Sequence, residues 1–116
     1  MKIVTLKELL SANVLCNEDC LGKHVYSASC SDMMSDVLAY QKEQAVLVTN
    51  LVNVQVVRTA EMMDMACVVF ANGKRPTSEM IELANDNGMV LMSTEMSSYE
   101  SCGILFENGL KGGRKV

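Results

Sequence analysis

Histidine occurs once in this 116-residue chain, tryptophan is absent and proline appears once. A single histidine, His24, leaves little for a histidine-based metal site. With no Gly-x-Ser-x-Gly turn in the chain, it also argues against a hydrolytic triad. Nucleotide fingerprints are missing as well. No Gly-x-x-x-x-Gly-Lys-Ser/Thr and no Gly-x-Gly-x-x-Gly follows an apolar run, which excludes a P-loop ATPase and a dinucleotide-dependent dehydrogenase. Basic excess is lacking, for the net charge is −4. Nucleic acid and anionic membranes attract basic surfaces, so neither is expected as a partner. No apolar stretch approaches the roughly 20 residues that span a bilayer. No secretory leader is visible either, because Met1-Lys2-Ile3-Val4-Thr5 runs straight into a charged helical pattern. A cytoplasmic protein is expected.

Five cysteines are an odd number, and a reducing compartment does not favour a disulfide framework. Cys67 lies inside an apolar run and reads as core. Cys102 falls on the expected inner face of the last helix. Cys16 and Cys20 form Cys-x3-Cys, and Cys30 follows after nine intervening residues. That trio is a candidate redox or cluster-binding set, but its spacing matches no common zinc or iron–sulfur pattern. No metal and no cofactor is expected.

What the chain does have is a beat. Ala45-Val46-Leu47-Val48, Ala66-Cys67-Val68-Val69-Phe70 and Met89-Val90-Leu91-Met92 recur at near-even spacing, with helical patterns between them. Such alternation marks parallel strands joined by helical crossovers. The expected fold is α/β: one domain over residues 1–109, with a mostly parallel central sheet and flanking helices. Residues 110–116, with Lys111, Arg114 and Lys115, read as a flexible basic tail. Thr5-x-x-Glu8 and Ser97-x-x-Glu100 have the form of capping boxes. Ser31-Asp32 reads as the start of a helix whose buried stripe is Met33, Met34, Val37 and Leu38. In the last helix, Tyr99, Cys102, Gly103 and Phe106 are expected to face inward. The ten methionines read mainly as soft core packing, some of them facing a partner subunit.

In parallel sheets, ligands meet the loops at the carboxyl ends of the strands. Those loops supply the candidate ligand-binding residues Thr49, Asn50, Asn53, Lys74, Arg75, Thr94, Glu95 and Ser97. Helix starts at Asn53, Thr77 and Ser97 add free N–H groups that suit a phosphate or another small anion. Capping explains several of these residues without a ligand, but it does not explain Lys74 and Arg75. No catalytic residue is assigned. Asp32 and Asp36, four apart, have the spacing of an acid/base or cation-binding pair, and helix capping with solvent exposure is the simpler reading.

The order of these motifs resembles the DRTGG domain over about residues 3–107. The segments that carry the likeness are Leu6-Lys-Glu-Leu-Leu10, Ser31-Asp-Met-Met-Ser-Asp-Val-Leu-Ala39, Asn72-Gly-Lys-Arg-Pro76 and Leu91-Met-Ser-Thr-Glu-Met-Ser-Ser-Tyr-Glu100. The resemblance implies a fold similar to the N-terminal domain of HPr kinase/phosphorylase. It also implies a regulatory or dimer-forming role beside enzymes such as phosphate acetyltransferases and pyrophosphatases, with no chemistry of its own. The stretch where the motif that names the family is expected is Gly22-Lys-His-Val-Tyr-Ser-Ala-Ser29, in which Lys23-His24 and Ser27-Ala28 replace Asp-Arg and Gly-Gly. Two functions follow as expectations. One is a dimeric, non-enzymatic sensor of a nucleotide or other phosphate-bearing metabolite. The other is a pure protein-interaction adaptor, for example an accessory to a hydrogenase or another redox enzyme.

Overall fold

Three strands in this chain have no polar face, and that fixes their place at the centre of the fold. The computed structural model describes residues 1–40 and 44–112. In order, the elements are α1 (Ile3–Leu9), β1 (Asn13–Cys16), a 3-10 turn (Glu18–Cys20), β2 (Ser27–Cys30), α2 (Met34–Tyr40), β3 (Ala45–Thr49), α3 (Val54–Met62), β4 (Cys67–Phe70), α4 (Ser78–Asp86), β5 (Val90–Ser93) and α5 (Ser98–Glu107). Every residue of β3, β4 and β5 is buried. A strand covered on both faces reads as a continuous apolar run, as these do.

The five strands form one sheet in the order β1-β5-β4-β3-β2. β2, β3, β4 and β5 run parallel, and β1 pairs antiparallel with β5. One face is covered by α1 and α5, where Ile3, Leu6, Leu10 and Leu105 pack on Val46, Val48, Val69 and Met92. The other is covered by α2, α3 and α4, where Val37, Val56, Val57, Ala60, Met80 and Ala84 pack on Leu47, Val68, Phe70 and Leu91. The α/β architecture read from the alternation is therefore the one observed.

Several local expectations need correction. The first helix starts at Ile3 with Lys2 at its N-cap and no side-chain cap, so Thr5 and Glu8 do not form the start of a helix. Helix α2 begins at Met34, not at Ser31-Asp32, and Asp32 therefore shares no helix face with Asp36. Of its expected stripe only Val37 is fully buried, while Met33 and Leu38 are exposed. The largest error concerns α5. Ser101 and Leu105 face the core, whereas Tyr99 is 88% and Phe106 58% exposed. A shallow open groove of about 770 Å³ runs along this outer face between Tyr99 and Phe106.

Residues 110–112 of the expected tail touch the domain. Leu110 is buried, Gly112 bridges to Ala28, and the Lys111 ammonium lies 3.6 Å from the centre of the Phe106 ring. Arg114 and Lys115 lie outside the described residues. Among the described residues, no helix is long and apolar enough to cross a membrane.

Candidate functional site

Because β2 to β5 are parallel, the loops that follow them open along one edge of the sheet. The loop after β2 joins this rim, which the sequence pattern alone had not assigned to it. It brings Asp32, whose carboxylate accepts hydrogen bonds from Thr49 Oγ1 at 2.9 Å, Asn50 N at 2.7 Å and Asn50 Nδ2 at 3.4 Å. The Asn50 backbone N–H is the main cause that holds the Asp32 carboxyl below its ordinary value of 3.8. The Thr49 hydroxyl adds to it, and partial desolvation opposes both. Nearby, Ser31 Oγ accepts from Met33 N at 3.1 Å and closes the turn into α2.

Asn50 is the crossroads. Its Nδ2 donates to Ser98 Oγ at 2.8 Å, and its Oδ1 accepts from Asn72 Nδ2. One side chain thus ties the loops after β2, β3 and β4 to the first residue of α5. The loop after β4 has its own local cause. Asn72 and Gly73 both have positive φ, +57° and +70°, and Lys74 N donates to Ala71 O at 3.0 Å. That is the pattern of a type I′ turn, for which Asn-Gly is the favoured pair. Gly73 is also required by close approach, since a Cβ there would lie 2.7 Å from Glu95 Oε2. Asn72 N and Gly73 N donate to Met96 O and Thr94 O, each at 2.8 Å, so the loops after β4 and β5 are zipped together.

The structure sorts the candidate residues into those that build the rim and those that line it. Thr49 and Thr94 are buried, and their hydroxyls are engaged, Thr94 Oγ1 donating to Leu10 O at 2.7 Å. Ser97 caps α5, accepting from Glu100 N at 3.1 Å. Asn53 is the N-cap residue of α3 without a side-chain cap bond, and it is exposed. Lys74 and Arg75 are exposed just past the I′ turn, where Ser93 Oγ donates to Lys74 O at 2.7 Å and fixes the backbone. Asn50 lies at the centre, and Glu95 covers Gly73. Asp32, Asn72 and Ser98 complete the network and are absent from the sequence-derived set. Asn72-Gly73 was a readable turn signal, whereas Asp32 was concealed by its likeness to a helix cap.

The cysteine trio does not assemble. Cys16 is on β1 and Cys30 on β2, at opposite edges of the sheet. Four interstrand spacings separate them by about 19 Å. Among the described residues, no three His, Cys, Asp or Glu side chains gather as a metal site would need. Burial pushes the Cys16 and Cys67 thiols up, and Cys16 Sγ donates to Met89 O at 3.3 Å. Residues 22–26 of the stretch expected to hold the family's naming motif lead into the amino end of β2, with His24 bridged to Lys2, and Ser27–Ser29 belong to β2 itself.

Comparison with known proteins places this geometry. The crystal structure of the CBS and DRTGG domains of the regulatory region of Clostridium perfringens pyrophosphatase, complexed with the activator diadenosine tetraphosphate, matches with a TM-score of 0.72. Identity is 17%, and the match covers 90% of this chain and 45% of that one. The likeness is one of fold, and this chain spans less than half of that structure. No curated protein sequence matches. A family model described as the DRTGG domain matches residues 5–107. The chain belongs to the DRTGG domain family.

Proposed function

We propose that this domain is a regulatory module, without catalytic activity of its own, that takes a nucleotide or other phosphate-bearing ligand on the strand-end rim. The observation that carries the reading is the Asn50 side chain, which joins Asp32, Asn72 and Ser98 and so holds three loops and a helix start in one arrangement. Amide and carboxylate groups held in this way suit a base or ribose hydroxyls. Lys74 and Arg75, exposed beside them, suit phosphate charge. The similar pyrophosphatase regulatory region was crystallised with a dinucleotide activator, which favours the same ligand class.

The test is thermal melting against nucleotides and phosphorylated metabolites. A ligand at 100 times its Kd adds about 2.7 kcal/mol, which moves the midpoint of a domain this size by roughly 10 °C. Loss of that shift in Lys74→Ala and Arg75→Ala, with unchanged melting of the free variants, supports the reading. A flat panel refutes it.

The outer face of α5 favours a second reading, a homodimer or adaptor surface. Tyr99 and Phe106 are large, exposed and on one helix face. Sedimentation of Phe106→Glu beside the wild type tests it. A dimer that becomes a monomer supports that surface, and identical behaviour removes it.

A further inference from the structure

The amino ends of the parallel strands, opposite the rim, carry a cavity of about 360 Å³ lined by Lys23, His24, Tyr26, Gln44, Asp64 and Ala66. Lys23, His24 and Tyr26 belong to the stretch where this chain departs from the family's naming motif. Their backbone is pinned on both sides. Ile3 N donates to Lys23 O at 2.9 Å, Val25 N donates to Met1 O at 2.8 Å, and Tyr26 N donates to Gln44 O at 3.0 Å. The segment thus crosses the amino ends of the sheet before it enters β2. At its start the Lys23 ammonium reaches the connection between α4 and β5, 3.7 Å from where a Cβ on Gly88 would stand. At its end the exposed Tyr26 ring lies nearly parallel to that of His24, at 15° with ring centres 6.1 Å apart.

Asp64 stands just before β4, and its local structure asks for a different residue. Met63 is the C-cap of α3, Asp64 N donates to Glu61 O at 3.0 Å, and Met65 N donates to Ala60 O at 2.9 Å. In that kind of helix stop the residue after the C-cap is usually glycine. Asp64 takes the position at φ +54°, and its carboxylate lies at the negative end of the helix dipole. Closing the helix therefore does not call for a carboxylate, and the cavity that Asp64 lines gives it one.

We propose that this cavity binds a zwitterionic α-amino acid with an aromatic side chain. One cation and one carboxylate lining a single cavity complement a small molecule that carries both charges. Lys23 takes the ligand's carboxylate and Asp64 its ammonium, each through charge-assisted hydrogen bonds. The parallel rings of His24 and Tyr26 offer a flat face on which the ligand's ring stacks. Ala66 leaves room for that ring, and the Gln44 amide suits a ring hydroxyl or N–H. The groups follow the same order along the sheet edge. Lys23 and Asp64 lie toward β5 and β4, whereas Gln44 and Tyr26 lie toward β3 and β2. The cavity is at the opposite edge from the rim, so its ligand is independent of the one proposed there.

The test uses the full chain with L-tryptophan as the probe. The protein has no tryptophan, so the anisotropy of the probe's own fluorescence reports binding. L-tryptophan is expected to bind saturably, and L-tyrosine and L-phenylalanine to displace it. N-acetyl-tryptophan lacks the ammonium and tryptophanamide lacks the carboxylate, and each is expected to bind about tenfold more weakly or worse. Asp64→Asn keeps a residue type that tolerates positive φ, and Lys23→Met keeps the aliphatic stem. Asp64→Asn is expected to erase the preference over N-acetyl-tryptophan alone, and Lys23→Met the preference over tryptophanamide alone. A merely structural loss would weaken all three probes together. Equal binding of the three probes overturns the proposal, as does failure of all three aromatic amino acids to bind. Binding that neither variant changes overturns it too, and so does displacement of the probe by adenosine monophosphate but not by L-tyrosine.

Discussion

Removing the carboxylate of Asp32 takes the acceptor from a buried hydroxyl. Thr49 is fully buried, and its Oγ1 donates to Asp32 while accepting from Leu51 N at 3.1 Å. In Asp32→Ala the Asn50 N–H, near the surface, regains water and loses only a net hydrogen bond of about 1 kcal/mol. The Thr49 hydroxyl keeps its acceptor role but loses its own acceptor, which costs about 1–2 kcal/mol for a buried donor. The expected loss is therefore about 2–3 kcal/mol, or a fall in Tm of roughly 8–12 °C at 2.1 cal/mol/K per residue. With no tryptophan in the chain, urea unfolding followed by far-ultraviolet circular dichroism is the suitable assay. The Thr49→Val background gives a sharper contrast, because no donor is left there to lose its acceptor. There Asp32→Ala costs only about 1 kcal/mol. Equal losses in the two backgrounds would refute the assigned pairing, as would an Asp32→Ala protein as stable as the wild type.

Three further outcomes follow from named groups. The Asp32 carboxyl is held below 3.8 in the folded protein, so its contribution is complete above that value and is lost as pH falls through the folded value. The stability gap between wild type and Asp32→Ala is expected to be constant near neutrality and to narrow below about pH 4, read by urea unfolding at each pH. Gly73→Ala places a side chain at φ +70° and is expected to cost about 1–2 kcal/mol. Glu95 is exposed and its tip can swing away, so Gly73→Ala with Glu95→Ala recovers little. Full recovery would mean that crowding, not backbone conformation, sets the cost. Thr59 Oγ1 is buried in α3 with no partner among the described residues, so Thr59→Val is expected to raise stability by about 1 kcal/mol in the same unfolding assay. A loss there would show that the hydroxyl is satisfied.

The parts of the fold legible in the sequence are those set by local pattern. Ala45–Thr49, Cys67–Phe70 and Val90–Ser93 announce themselves because strands buried on both faces read as apolar runs, broken here only at their last residues, Thr49 and Ser93. Thr77 and Ser97 cap α4 and α5 as their spacing suggests, each accepting from the N–H three residues on. The face of α5 was misread because helical spacing allows more than one apolar stripe. Tyr99, Cys102 and Phe106 satisfy the period as well as Ser101 and Leu105, and only the sheet decides which packs. Thr5 and Glu8 have the right types for a cap, yet the chain enters α1 earlier, where Ile3 and Leu6 find the core. Asp32 shows a deeper limit. Its partners, Thr49 and Asn50, lie 17 and 18 residues away, and no local rule distinguishes a carboxylate that caps its own helix from one that crosses to the next strand.

The central claim is that a phosphate-bearing ligand meets this chain at the Asn50 crossroads. The most direct measurement is an amide chemical-shift titration of the 15N-labelled protein with the compound that most raises its melting temperature. Binding at the rim shifts Asn50, Asn72, Gly73, Lys74, Arg75 and Ser98, leaves the outer turns of α5 unchanged, and weakens in Lys74→Ala. Shifts confined to Tyr99–Phe106, or shifts that Lys74→Ala leaves untouched, would contradict it.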